Sequence, residues 1–375
     1  MDISIWEKES FYAPQDIIIV GSGFVGLWCA YYLKKRHPGD SITIVDRGII
    51  PTGASTRNAG FACFGSVSEL RRDVDGMGEN KMLELVEMRF RGLQKIQNTF
   101  SRKEIEYIPS GGFELITSSQ RIELDKLRSD IDWLNQRLRK IVGRKKAFYM
   151  ADSMIPKLGL SGVAHLVENR LEGQLHAGKL CKALARKVLS MGVSILNNFE
   201  VKGYEKANGK ILIHSNLPID LCAAQLLICT NGFAKQLLPG LDVDPARGQI
   251  LVTSPLDNIA CKGTFHYDEG YYYFRDLGDR ILLGGARNKA FAAETTFDLL
   301  TSEQIQNELE NFLRAHILGD QAFSIDYRWS GIMGIGSEKM PIVQLLEDNV
   351  YCAVRMSGMG VALAPVIGKM VSSMM

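Results

Sequence analysis

Residues 16–46 read DIIIVGSGFVGLWCAYYLKKRHPGDSITIVD. The β-branched run Ile17, Ile18, Ile19 and Val20 predicts a short buried strand. Gly21, Gly23 and Gly26 follow in G-x-G-x-x-G spacing, and an apolar helix runs on through Leu33. A second apolar strand, Ile42 to Val45, ends on Asp46, twenty positions after Gly26. Each part has a physical task. Gly21 permits the tight turn, Gly23 lets the backbone approach a pyrophosphate, and Gly26 lets the helix pack on the strand. The helix N-terminus offers N–H groups and the positive end of its dipole to phosphates. Asp46 can accept hydrogen bonds from a ribose. Strand, turn, helix, strand and acid together predict a dinucleotide site, without saying which dinucleotide.

The rest of the chain sets the frame. At 375 residues it has room for two substantial cores. The net charge of +2 gives no reason to expect nucleic acid or an anionic membrane as a partner. Seven cysteines are scattered singly with no C-x-x-C, so neither a disulfide framework nor a structural zinc site is expected. Asp2, Glu7 and Glu9 precede any apolar run, which does not suit a signal peptide, and no apolar run has the length of a membrane span. Reduced thiols and a cytoplasmic location are the expectation.

Dinucleotide-domain features recur along the chain at 1–78, 147–235 and 336–375. Residues 1–15 read as a surface arm and 47–78 as a long, glycine-rich functional loop. The blocks 79–146 and 236–335 read as a separate mixed domain. Met82, Leu85, Val86, Leu93, Ile96 and Phe100 lie at helical spacing, as do Leu124, Leu127, Ile131, Leu134, Leu138 and Ile141. The stretches RGQILVT, GYYYFRDLGDRILLGGAR and IDYRWSGIMGIG carry antiparallel strand and turn signals. A helix is expected near Ser302–His316, and the tail from Asn349 reads as strand, glycine turn and closing helix.

GASTRNAGF, EGQLHAGKL, LICTNGFAKQLLP, YYYFRDLGDRILLGGAR, RWSGIMGI and MSGMGVALAPVIGK, with the N-terminal motif, carry a resemblance. The chain resembles the D-amino-acid oxidase, glycine oxidase and sarcosine oxidase family of FAD-dependent oxidoreductases, nearest its bacterial γ-glutamylputrescine oxidase-like branch. The resemblance implies an α/β fold: a Rossmann-like FAD-binding domain of glutathione-reductase type, with an inserted α+β substrate domain built on an antiparallel sheet. It also implies non-covalent FAD. The residues expected around it are Gly21, Gly23, Phe24, Val25, Gly26, Asp46 and Arg47 on the adenosine side, with Val201 meeting the adenine by its backbone. Ser55, Thr56, Arg57, Asn58, Ala59 and Gly60 would line the pyrophosphate, ribityl chain and flavin. Thr230, Asn231 and Gly232 would close over the adenosine end. Gly331 is expected near the flavin, and Gly358, Met359, Gly360 and Val361 would turn N–H groups to its pyrimidine end, where the reduced ring carries charge.

The reaction implied is oxidation of a C–N bond of a small-molecule amine or amino acid by hydride transfer to flavin N5, followed by imine hydrolysis. Three departures stand out. The cysteine that sarcosine oxidases join to FAD falls near Gly331. The lysine they use to activate oxygen falls at Leu282. The arginine that clamps an α-carboxylate falls near Met333. Arg57 and Arg275 are the replacement clamps considered, with Arg287 beside them, and Tyr272 or Tyr273 is a candidate to face substrate. Each also has a plain reading: solvated strand end for the arginines, packing for the tyrosines. The histidines lack metal-ligand spacing, so no metal is expected. His266 is a remote active-site candidate, and Cys63 reads as a packed thiol. A nicotinamide-dependent dehydrogenase and a non-catalytic FAD-binding protein are the competing readings.

Overall fold

The computed structural model describes residues 3–375. They fall into two compact units. One contains the chain up to Thr56, Gly178–Pro245 and Met333–Met375; the other contains Arg57–Ala177 and Ala246–Ile332. These divisions place 57–78 and 147–177 with the second unit, whereas the sequence pattern grouped them with the first. The reason is pairing: Gly112–Thr117 and Val163–Asn169 are antiparallel neighbours, and Phe61–Ala62 pairs with Gly173–Gln174. Of the expected N-terminal arm, Ile5–Glu9 is a short helix capped by Ser4, and the first two residues lie outside the described residues.

The first unit is built on the opening motif. Gln15–Val20 lies between Leu221–Ile228 and Ile42–Val45, all parallel. Ser194–Leu196 and Val350–Val354 extend this parallel set on its two sides. Ile342–Glu347 pairs antiparallel with Val350–Val354 at one edge. A hairpin of Val201–Ala207 and Lys210–Ser215 joins the sheet through Leu221–Ile228. Central parallel strands are covered on both faces, so they read as continuous apolar runs; Ile42–Val45 is buried at every position. The helix Phe24–Arg36 packs against the closing helix Gly360–Met374. Gly368 makes this possible, because a Cβ there would lie 2.6 Å from the Trp28 carbonyl carbon.

In the second unit the sheet order is Ile325–Ile335, Asp244–Thr253, Arg280–Gly285, Tyr272–Leu277 and Thr264–Tyr267, the last four antiparallel in turn. Gly112–Thr117 then joins parallel to Thr264–Tyr267, followed by Val163–Asn169 and Phe148–Met150. Side chains alternate across a sheet, so register decides which residues share a face. One cross-strand row runs Leu251, Leu283, Phe274, Phe265, Phe113. It is the core face, with the Phe265 ring 4.5 Å from Phe274 and 5.1 Å from Phe113. The helix Glu303–Phe312 covers it and continues as a π-helical turn, Leu313–Leu318.

The stretch expected as loop over 47–78 contains a helix, Val67–Met77. Ser66 caps it by accepting from the Glu69 N–H, so the S-x-x-E signature of a helix start was present in the sequence. Gly368→Val is expected to destabilise the first unit by about 1–3 kcal/mol, the usual cost of overpacking. Thermal denaturation followed by circular dichroism checks this, and an unchanged melting temperature would contradict the close helix approach.

Candidate active site

In the first unit the glycine turn is held by its own backbone. Gly21 has φ +107° and donates its N–H to Val45 O at 2.8 Å. A Cβ on Gly26 would lie 2.0 Å from Gly21 O, so only glycine fits there. Ser55 Oγ accepts from Phe24 N at 2.8 Å, capping the first N–H of the helix. Asp46 Oδ2 accepts from Ser22 N at 2.8 Å and Ser22 Oγ at 2.6 Å, while Oδ1 accepts from Gly48 N at 2.9 Å. A carboxylate has about four acceptor positions, so Oδ1 keeps room for a further hydroxyl. The Arg47 guanidinium lies 3.8 Å from the centre of the Phe233 ring. Phe199 N donates to Asp46 O at 2.9 Å, which brings the segment leading to Val201 beside the motif.

Two turns follow the C-terminal ends of neighbouring strands. After Leu221–Ile228 comes Thr230–Gly232, and after Val350–Val354 comes Arg355–Gly358. Asn231, Arg355 and Ser357 have φ of 46°, 62° and 46°, unusual for residues with a Cβ. The turns are joined: Asn231 Oδ1 accepts from Met356 N at 3.1 Å. Buried Arg355 donates to Met340 O at 2.8 Å and Asp242 O at 3.2 Å, and pairs with the Asp242 carboxylate. Hydrogen bonds from Ser337, aided by Arg355, hold the Asp242 carboxyl below its usual range. Arg355 was not foreseen; its place directly after the buried strand VYCAV and before the glycine turn was the available signal. Thr230 Oγ1 and Ser357 Oγ are buried without a protein hydrogen-bond partner. Buried hydroxyls are ordinarily paired, so both fit a polar ligand across the ends of these strands. In open α/β sheets, ligands bind outside the carboxyl ends of the strands. The residues therefore fit a dinucleotide such as FAD, and Gly358–Val361 lead from the second turn into the closing helix.

In the second unit, the face opposite the phenylalanine core carries the candidate chemistry. One row runs Ile250, Gly284, Tyr273, His266, Glu114; the next runs Val252, Leu282, Arg275, Thr264, Gly112. Ala59, Ile250, Val252 and Leu282 form a small apolar cluster there, with Phe61, Tyr273 and Trp329 half-buried against it. Leu282 is thus placed on this face. Burial pushes the Tyr273 phenol up to about 12, so it stays neutral near pH 7. Tyr272 lies on the other face, 4% exposed and stacked 4.8 Å from Phe312. Its expected substrate role is corrected to core packing, because register turns it away from Tyr273.

Arg275 is neither a solvated strand end nor an open substrate fork. It is 7% exposed, and its Nη1 donates to Leu175 O at 2.9 Å and Gly60 O at 3.2 Å. Its Nε donates to Asp276 O at 3.1 Å. It clamps the turn at Gly60, whose φ is +74° and whose Cβ would meet Leu175 O at 2.2 Å. Arg57 donates to Ser330 O at 2.9 Å, and its own carbonyl accepts from Trp329 Nε1 at 3.0 Å. Arg57 therefore lies next to Gly331 on the strand Ile325–Ile335. Asn58 Oδ1 accepts from Gly60 N at 2.9 Å, and Thr56 Oγ1 bonds to Pro51 O. Glu114 and Glu172 were missed, since a single buried acid in a strand or turn has no sequence signature. Glu114 accepts from Val67 N at 2.7 Å and from the Ser68 N–H and hydroxyl; burial raises its carboxyl in spite of them.

A glycine-turn α/β unit with paired, ligand-ready strand ends defines a dinucleotide-binding protein. The family model described as "DAO: FAD dependent oxidoreductase" matches residues 16–374, and the chain belongs to this family of FAD-dependent oxidoreductases. It is similar to a "Probable oxidoreductase OrdL" of Haemophilus influenzae, 22% identical over 95% of this chain and 82% of the relative. It is also similar to the gamma-glutamylputrescine oxidoreductase of Escherichia coli, 23% identical over 96% and 83% of the two chains. Its fold is that of glycine oxidase from Geobacillus kaustophilus, with a TM-score of 0.78 at 19% identity, covering 96% of this chain and 94% of the other. No helix among the described residues is long and apolar enough to cross a membrane.

Two substitutions probe the cradle. Asp46→Ala removes the acceptor that orders Ser22 and Gly48, and Arg355→Met releases the left-handed turn. Each is expected to weaken FAD binding about tenfold or more, equivalent to 1.4 kcal/mol. Titration of apoprotein with FAD, followed by quenching of flavin fluorescence, measures the change; wild-type affinity would show that the residue has no part in holding the cofactor.

Proposed function

We propose that this protein is a dehydrogenase-type FAD enzyme that oxidises a C–N bond of an amine or amino acid and binds its cofactor without a covalent link. Bound FAD supplies the hydride acceptor at flavin N5. The substrate nitrogen, in its neutral form, uses its lone pair to release hydride from the adjoining carbon, and water then hydrolyses the imine. The observation that carries the reading is the composition of one sheet face. Phe61, Tyr273 and Trp329 pack against a buried apolar cluster of Ala59, Ile250, Val252 and Leu282. Such a lining excludes water and binds a neutral amine, and the hydride step asks for no acid–base pair from the protein.

Further roles support the same reading. Arg57 is the cation we assign to a substrate carboxylate, since Arg275 already holds three backbone carbonyls of the second unit besides its neighbour's. N–H groups of Gly358, Met359, Gly360 and Val361 are assigned to the flavin pyrimidine end. Leu282 brings no positive charge to assist oxygen, which favours another electron acceptor. The relatives named for sarcosine, glycine and gamma-glutamylputrescine suggest the substrate range to try first.

Anaerobic mixing with a panel of such amines and amino acids tests the proposal. At least one is expected to remove the oxidised-flavin absorbance, with kcat/KM rising with pH as the substrate amine deprotonates. No loss of absorbance across the panel would sink it. Reoxidation is expected to be slow in air and fast with an artificial acceptor, and fast reoxidation by air would make the enzyme an oxidase. Acid denaturation should release all of the flavin into the supernatant; flavin that stays with the precipitate would contradict non-covalent binding.

A further inference from the structure

Cys63, Glu172 and His266 come from three distant parts of the chain and meet inside the second unit. They are 4%, 2% and 7% exposed. One donor atom from each lies within 4.8 Å of the others. The Glu172 carboxylate is pre-oriented: Oε1 accepts from Phe64 N at 2.9 Å and Gly65 N at 3.3 Å. That leaves Oε2 turned to His266, 3.6 Å from Nε2. This is too long for a hydrogen bond, and His266 Nε2 is buried without any other partner. The space for Oε2 depends on Gly112, where a Cβ would lie 2.2 Å from it. The imidazole is steadied by Phe61, edge-on at 5.2 Å.

From this arrangement we propose a binding site for a zinc-class divalent cation, ligated by Cys63 Sγ, His266 Nε2 and Glu172 Oε2, with a fourth position left open. The donor set is the sulfur, nitrogen and oxygen combination that zinc accepts. The backbone N–H groups on Oε1 are the kind of outer support that orients a metal-binding carboxylate. Tetrahedral zinc separates sulfur and nitrogen ligands by roughly 3.5 Å, so side-chain rotations of about an ångström close the site. A cation would use the imidazole nitrogen that now has no partner and balance the buried carboxylate. Zinc takes Cys63 as a thiolate and His266 as a neutral imidazole, so any proton either ligand carries in the metal-free protein leaves on binding. The site shares Phe61 with the apolar face but does not depend on the substrate reading, and an inactive flavoprotein would hold it.

The test uses the purified flavoprotein, stripped with a chelator and dialysed against Zn²⁺. One equivalent of zinc per chain is expected by elemental analysis. Cys63→Ser and His266→Gln should each lower zinc affinity about 100-fold or more, while Cys261→Ser should leave it unchanged. Less than stoichiometric zinc, or equal binding by the Cys63 and His266 variants, would overturn the site. If those variants do not fold, the wild-type melting temperature decides. It should rise with Zn²⁺ and not with Mg²⁺, and no zinc-dependent rise would overturn the proposal.

Discussion

The approach of the Gly26 backbone to the Gly21 carbonyl is the constraint on which the first unit depends. With 2.0 Å between that oxygen and a Cβ built on Gly26, no other residue allows the helix to start so close to the strand. The approach aims the first turn of Phe24–Arg36 across the strand end, and this gives the glycine turn its phosphate-binding geometry. It also sets where Trp28 lies, and Trp28 in turn meets Gly368 of the closing helix. One small-residue contact at residue 26 is thus linked to another more than three hundred residues later. Both are close backbone packings that a larger side chain would break, and both serve the same layer of the fold.

Three of the eleven non-glycine residues with left-handed backbone among the described residues, Asn231, Arg355 and Ser357, lie where the cofactor is expected. Left-handed backbone at non-glycine residues is costly and persists only where surrounding bonds impose it. Asn231 and Arg355 are each held in this way, Asn231 through Met356 N and Arg355 through Asp242 and Met340. The paired turns leave Thr230 and Ser357 hydroxyls without protein partners. Costly backbone and unmet polar groups at the same strand ends have a common explanation in a bound ligand that satisfies the second and offsets the first.

The opening motif was readable because all its parts are local: strand, turn, helix and acid lie within thirty-one residues and obey fixed spacing. The amphipathic helices Glu79–Thr99 and Leu124–Val142 were readable for the same reason. The faces of the antiparallel sheet were not. Tyr272 and Tyr273 are equivalent in composition, and only the pairing with Thr264–Tyr267 and Arg280–Gly285 assigns one to the core and one to the other face. Arg275 shows the same limit. A guanidinium in a strand looks like a substrate clamp until the Gly60 and Leu175 carbonyls are seen to hold it.

The cluster at Cys63, Glu172 and His266 extends that lesson to chemistry. Metal motifs are recognised in sequence by short spacing, because both ligands usually sit on one turn or helix. Here the ligating atoms come from a loop, a turn and a strand separated by about a hundred residues each. Sheet register brings the strand's contribution to the same face as Tyr273, and the Phe64 and Gly65 N–H groups aim the carboxylate. A buried imidazole nitrogen facing a buried carboxylate at 3.6 Å has lost its water without gaining a hydrogen bond. Such a loss is costly in a packed interior. An ion in that position would turn the cost into binding energy, and it would tie three otherwise independent segments of the second unit together.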